Sequence, residues 1–368
     1  IMGLRSKAGT FEGDAPMGQI MRHYWMPACL SEEIAEADSK PIQVKLLGES
    51  FVAFRDSNGD VGVMDELCPH RRASLVLGRN EECGLRCLYH GWKMDRHGNV
   101  VDMPSEPPES PLREKVKHRS LPVKEWAGMV WVFLGDAENV PEFIPPAWAP
   151  TADTKVSIAK IVIPCNWAQI LEGAIDSSHS SSLHSSDMVP SRVVQAEADD
   201  NAWYRPSTDK NPTMRSKSTD YGFHYAAIRR PIKKADTHSY VRTSVFVSPM
   251  TVLIPPNASY NVANVNVPMD DTHTAFHFIG WGEKAMDEDK WRAFLGAVPG
   301  EHLDENWVSK RNQSNWFLQN REEMKEGSFT GITGIPNQDM AMWVTMGPIA
   351  NRSEDTLGAG DAAVVEFR

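Results

Sequence analysis

Cysteine is scarce: five in 368 residues, an odd number and too few to staple a chain of this length. That excludes a disulfide scaffold and makes a reducing, cytoplasmic setting the expectation. No apolar run approaches the roughly 20 residues that span a bilayer, and the N-terminus lacks the basic-then-apolar layout of a secretory signal. Membrane association is therefore not expected. Basic residues are also short, 38 Lys plus Arg against 49 Asp plus Glu, for a formal net charge of −11. A surface that acidic repels phosphate backbones, so no nucleic-acid partner is expected. Internal repeats and low-complexity tracts are missing as well.

What is there is ordinary globular composition, 41% hydrophobic and 24% charged, in a length that suits two or three domains of roughly 150 residues. The chain opens on Ile1-Met2 and stops in an apolar stretch, Ala362 to Arg368, with no evident cap. Further residues are expected beyond or within it, so short spacings carry more weight than long ones. The proline cluster Pro141, Pro145, Pro146 and Pro150 reads as a linker and divides the chain into 1–150 and 151–368. Before it, Ile42–Leu47, Phe51–Arg55, Val61–Asp65 and Gly128–Leu134 read as short strands separated by turn residues, giving a small all-β domain. After it, Pro164–Ala174 has helical spacing. Long strand candidates follow at Tyr240–Ser248, Tyr260–Val267 and Thr272–Trp281, then a helix-rich stretch from Met286 to Glu326. The fold class is therefore α+β.

Two loops of the first half carry soft ligands. Cys68-Pro69-His70 precedes Cys87-Leu88-Tyr89-His90 by 16 intervening residues. Two thiolates and two imidazoles suit zinc or a Rieske-type [2Fe–2S] cluster, in which two cysteines bind one iron and two histidines the other. Each loop supplies one of each, which favours the cluster, because zinc sites more often pair cysteines within a loop. Cys29, Cys83 and Cys165 fall outside the pattern and read as spare thiols.

In the second half, Asp176-Ser-Ser-His179-Ser-Ser-Ser-Leu-His184 offers two histidines beside a carboxylate. Two histidines and an acid with open positions form the facial triad of a non-haem Fe(II) oxygenase. Residues five apart lie about 140° around an α-helix, so an unbroken helix could not aim both imidazoles at one metal. The intervening serines favour local bonding over helix, and a helix break between the histidines is expected. Alone, this pattern fits two surface histidines better; beside an electron carrier, which needs an acceptor, the metal reading prevails. The third ligand should be a distant carboxylate. Asp339, after the turn Gly334-Ile-Pro and ahead of an apolar segment, is the choice over Asp271 and Asp304, which read as solvated charges. His273 and His277 would sit about 13 Å apart along a strand and cannot share an ion.

With Gly13–Pro27, Asp65–Arg72 and Leu85–Lys93 added to these motifs, the chain resembles the Rieske non-haem iron aromatic-ring oxygenases, in particular the phthalate dioxygenase oxygenase components. The resemblance implies a Rieske domain followed by a helix-grip catalytic domain, an antiparallel sheet with helices over it. It implies a [2Fe–2S] cluster on Cys68, His70, Cys87 and His90, and a mononuclear Fe(II) on His179, His184 and Asp339. It also implies an NADH-dependent flavin/iron–sulfur reductase as partner and assembly as homotrimers or hexamers. There Asp176 bridges a cluster histidine of one subunit to an iron-ligand histidine of the next. The implied reaction adds O2 to an aromatic carboxylate, with phthalate to a cis-dihydrodiol as the first choice. Monooxygenation or O-demethylation of a substituted benzoate is the alternative. A pure Rieske electron carrier and a zinc-stabilised binding protein are readings from other classes. For an aromatic acid a buried arginine is the natural partner. Arg242 shares a strand face with Tyr240, Ser244 and Phe246, and Arg205 lies in Trp203-Tyr204-Arg205-Pro206; Arg215 and Arg230 are substitutes.

Overall fold

A computed structural model describes residue 10 and residues 15–190, 203–255 and 259–368. Gly13 and Asp14 of the opening motif lie outside the described residues. The chain divides into two compact units at Pro145/Pro146, inside the proline cluster.

The first unit follows a short helix α1 (Pro16–Met21) with three small antiparallel sheets. One joins β1 (Trp25–Leu30), β9 (Val123–Trp126) and β10 (Met129–Phe133); a second joins β2 (Ile42–Leu46), β3 (Glu49–Arg55) and β4 (Val61–Asp65). The third is β5 (Arg79–Glu81), β6 (Gly84–Arg86), β7 (Lys93–Met94) and β8 (Val100–Asp102), with helix α2 (Leu112–Lys115) after it. The Ser-Asn-Gly-Asp turn between β3 and β4 is closed by Asp56, whose Oδ1 accepts from the N–H groups of Asn58 and Asp60 at 2.9 and 3.1 Å. Val52, Phe54, Met64, Leu75, Leu85, Trp92 and Met94 pack into one core together with Cys68 and Cys87, so both cysteines emerge from packed apolar ground.

The second unit is built on a seven-stranded antiparallel sheet in the order β11 (Val156–Ile163), β19 (His273–Trp281), β18 (Asn261–Asp270), β17 (Thr251–Ile254), β16 (Tyr240–Val247), β15 (Gly222–Arg229) and β14 (Thr213–Thr219). A short parallel pair, β12 (Met188–Pro190) and β13 (Trp203–Arg205), stands apart from it. Helices α3 (Trp167–Ile175), α4 (Glu288–Leu295), α5 (Arg321–Lys325), α6 (Ile335–Thr345) and α7 (Ala362–Phe367) complete the unit. Trp291, Leu295, Ile335, Met340 and Trp343 share one core with Ile161, Phe276 and Phe278 of the sheet. The expected helix-rich stretch from Met286 to Glu326 needs correction. Between α4 and α5 lies irregular chain with a short 3₁₀ piece, where Trp316, Phe317 and Leu318 take left-handed φ values of 50°, 56° and 52°.

His277 of β19 is fully buried opposite Lys160 of β11, with its Nδ1 donating to the Val265 carbonyl at 3.2 Å. Burial, and then the Lys160 charge, pushes its pKa down to about 3. The unfolded chain takes up a proton near pH ~6.5 that the folded imidazole refuses. The stability this contributes is present above pH ~6.5 and is lost as pH falls from there towards 3. His277→Gln, which keeps a donor for Val265, is therefore expected to reduce the drop in melting temperature between pH 7 and pH 5. An unchanged drop would show that other groups govern acid lability.

Candidate functional site

The two cysteine loops have the same backbone construction. Cys68 N–H donates to the carbonyl five residues on, Ala73, and its carbonyl accepts from Arg72, four residues on (2.9 and 3.0 Å). Cys87 repeats this with Trp92 and Gly91 (2.8 and 3.0 Å). The fourth residue beyond each cysteine is left-handed, Arg72 at φ 60° and Gly91 at φ 76°. Matching turns bring like to like: the Cys68 and Cys87 thiols are hydrogen-bond neighbours, and the His70 and His90 rings lie 4.4 Å apart. Trp92, held by Ser105 Oγ at 3.0 Å, stacks flat on His70 at 4.5 Å.

These donors fit a binuclear cluster. Among the described residues, no three of the four bring ligand atoms within 4.8 Å of one another. A single tetrahedral zinc with bonds of about 2.3 Å would need them ~3.7 Å apart. Burial first, then the neighbouring Cys87, pushes the Cys68 thiol up to about 11, although the His70 and Arg71 N–H groups point at its sulfur. The Cys68 thiolate is favoured only beside metal charge. His70 Nδ1 is buried without a protein partner, which leaves a lone pair to donate.

In the second unit, Asn166 caps α3 by accepting from Ala168 N–H at 3.1 Å, and Trp167, Ile170, Leu171 and Ile175 face inward. Gly173 lets α6 come close; a Cβ there would stand 2.2 Å from Trp343 Nε1. The helix stops at Ile175, whose carbonyl accepts from the Tyr225 hydroxyl. The break therefore precedes both histidines rather than separating them: Asp176 is extended, and His179–Ser181 forms a 3₁₀ turn. Asp176 organises that turn, its Oδ1 accepting from Ser178 N–H at 2.6 Å and its Oδ2 from His179 N–H at 3.1 Å. Asp339 comes from the second turn of α6, not its N-terminus. The helix can start beside α4 because its cap is Gly334, where φ is 86° and a Cβ would meet Leu295 O at 2.4 Å.

These elements bring three donors together. His179 Nε2 and His184 Nε2 are 3.1 Å apart, and Asp339 Oδ1 lies 3.1 Å from His184 Nε2 and 3.5 Å from His179 Nε2. With metal bonds of about 2.1 Å, ligands at right angles stand ~3.0 Å apart, so the spacing suits three cis positions around one ion. The electrostatics agree. Burial works against a charged His179, yet Asp176 and Asp339 hold its pKa above the usual histidine value, so the site favours positive charge. Asp304 is exposed in its own turn, and Asp271 is not a member of the group.

The donors face a cleft with about 80 Å³ of interior space, walled by Trp203, Ile254, Phe276, Phe278, Ile335 and Trp343, with Arg242, Ser244 and Asn264 among its polar groups. Arg242 is on the buried face of β16, and its Nη2 donates to Pro255 O at 2.8 Å. Arg205 is equally buried but is not among the residues lining the cleft. Its Nη1 donates to Ser181 Oγ at 2.8 Å and its Nη2 to Ser180 Oγ at 2.9 Å, gripping the His179 turn. Arg215 and Arg230 are exposed and drop out as substitutes. The arginine missed in the sequence is Arg229, buried at 2% exposure, which donates to Ser177 O at 2.8 Å and Ser181 Oγ at 3.3 Å. Its place on the alternating face Phe223, Tyr225, Ala227, Arg229 was the available signal. Burial, and then the charges of Arg242 and Arg229, pushes Arg205 down to about 10, the mark of three cations crowded together.

Comparison with known proteins is consistent along the chain. Residues 24–126 match the Rieske [2Fe-2S] domain family, and residues 132–368 match the family described as LigXa C-terminal domain like. The phthalate 4,5-dioxygenase oxygenase subunit of Pseudomonas putida is 62% identical over 97% of this chain and 82% of its own length. The 3-chlorobenzoate-3,4-dioxygenase oxygenase subunit of Comamonas testosteroni is 38% identical over 96% of this chain and 83% of its own. Among solved structures, the terminal oxygenase of carbazole 1,9a-dioxygenase from Novosphingobium sp. KA1 shares the fold, with a TM-score of 0.63 at 20% identity over 99% of this chain and 93% of the other.

Proposed function

Because the chain belongs to the Rieske non-haem iron oxygenases, with a Rieske [2Fe–2S] domain followed by a LigXa-type catalytic domain, we propose that its substrate is phthalate, taken to a cis-dihydrodiol. As a member of that family it is an oxidoreductase carrying a cluster and a mononuclear iron, and it works with a reductase, an aromatic substrate and dioxygen. The electron-carrier and zinc-protein readings fall away, since a carrier needs no second unit with a convergent His-His-Asp group. Division of labour follows the chain, the cluster in 1–150 and the oxygenase chemistry in 151–368.

Cys68, His70, Cys87 and His90 would hold the cluster, and His179, His184 and Asp339 the mononuclear iron. When bound, the iron supplies dioxygen activation, with electrons relayed through the cluster. The chain's own residues supply position. Phe276, Phe278 and Trp203 present apolar walls to a ring, and Arg242 receives a carboxylate from the same cleft. Arg205 serves a second carboxylate by turning from Ser180 and Ser181, and an anion there relieves its repulsion with Arg242 and Arg229. Asp176 keeps His179 in place and, in an assembly of three or six copies, reaches a cluster histidine of another subunit. The reductase is NADH-dependent and carries flavin and an iron–sulfur centre. No helix among the described residues is long and apolar enough to cross a membrane, and free cysteines together with a need for NADH support a cytoplasmic setting.

The observation that carries this reading is the shared cleft, in which Arg242 and the aromatic walls face the same space as the three metal donors. Reconstitution with Fe(II), NADH and a phthalate-type reductase, scored by oxygen uptake and product mass across aromatic mono- and dicarboxylates, tests it. A phthalate product heavier by one O2 and two hydrogens is expected. Formaldehyde release from a methoxybenzoate, with phthalate inert, would replace dihydroxylation by O-demethylation.

A further inference from the structure

Gln338 precedes Asp339 in α6, is 2% exposed, and makes three hydrogen bonds. Its Nε2 donates to Asp187 Oδ2 at 2.8 Å and to the Ile332 carbonyl at 2.8 Å, and its Oε1 lies 2.8 Å from His184 Nδ1. Asp187 and Ile332 present only acceptor oxygens, so they fix the amide: the NH2 must face them and the carbonyl must face the imidazole. A carbonyl oxygen accepts and never donates, so His184 Nδ1 must carry the proton. His184 Nε2 is then a bare lone pair, aimed at His179 and Asp339.

We propose that Gln338 is a positioning residue that, anchored by Asp187, locks His184 in the tautomer able to bind metal through Nε2. The proposal rests on the reading that His179, His184 and Asp339 hold the mononuclear iron. An outer partner that fixes ring orientation and tautomer sets metal affinity as well as geometry. The path runs from the loop after His184, through a helix 151 residues further on, and back to the ring, so it ties the two halves of the donor set together.

The experiment measures Fe(II) affinity of the mononuclear site in the full chain, together with the EPR spectrum of its nitric oxide adduct, and uses the cluster's own EPR signal as an internal control for folding. Gln338→Met keeps size but offers no comparable acceptor, and is expected to weaken Fe(II) binding ~10- to 100-fold with the cluster signal intact. Gln338→Glu alone sets a second carboxylate oxygen against Asp187 and is also expected to bind poorly. Pairing it with Asp187→Asn gives that oxygen a donor, while the Ile332 carbonyl still faces a carboxylate oxygen, so affinity should recover in part. Unchanged affinity and spectrum in Gln338→Met would overturn the proposal. His184→Ala is run alongside: iron retained there overturns the metal-centre reading itself, while iron lost there but kept in Gln338→Met overturns only the role of Gln338.

Discussion

Asp339→Ala is expected to abolish oxygenation, by on the order of 10³-fold or more in kcat/KM, while leaving the Rieske cluster untouched. Asp339 is the sole carboxylate of the convergent group, 3.1 Å from His184 Nε2 and 3.5 Å from His179 Nε2. Without it, two imidazoles hold a dication with no anionic ligand, and hard Fe(II) loses its oxygen donor. Iron should fall from about three atoms per chain to about two, because the cluster ligands belong to a separate unit with its own core. Metal analysis beside the reduced-cluster EPR signal decides the matter. Full iron content in Asp339→Ala would mean that another acid completes the site.

Arg242→Ala should be the most damaging change outside the metal donors. A buried carboxylate stripped of its arginine loses about 2–4 kcal/mol, or roughly 30- to 10³-fold in kcat/KM. The loss should appear mainly in KM for phthalate, because the proposed partner of Arg242 is the acid rather than the reacting ring carbons. An uncharged ring of similar size should be far less affected, and it provides the control for damage to the cleft. Equal losses on charged and uncharged rings would remove Arg242 from substrate recognition and leave it as a brace for Pro255. Arg205→Ala needs the same pair of substrates together with iron analysis. It grips Ser180 and Ser181, so its removal loosens the His179 turn as well as removing the proposed second carboxylate partner.

Much of the chemistry was readable before any fold. Cys68/His70 and Cys87/His90 are two and three residues apart, and each loop closes on its own backbone through hydrogen bonds four and five residues long. Local spacing therefore made these four residues a candidate donor set whatever surrounds them. His179 and His184 were legible for a similar reason. A serine-rich stretch after a helix has little propensity to continue it, although the chain breaks at Asp176, ahead of both histidines, where side-chain bonds to Ser178 and His179 take over. Asp339 was chosen for its residue type and the Gly-Ile-Pro start ahead of it, but it sits in the second turn of α6 rather than at its N-terminus.

Side-chain partners far apart in sequence were another matter. Strand alternation placed Arg242 on the inner face of β16, but nothing in Trp203-Tyr204-Arg205 says that this guanidinium turns to Ser180 and Ser181. Gln338 carries no periodic or motif signal; its function exists only because α6 packs where His184 and Asp187 can meet it. Hence the sequence alone brought Cys68 with His70 and Cys87 with His90 as candidate donors, because short loops restrict their own geometry. Tertiary packing alone decided how those atoms are aimed and which cations face the cleft, because those contacts depend on burial and on pairings that no local spacing encodes.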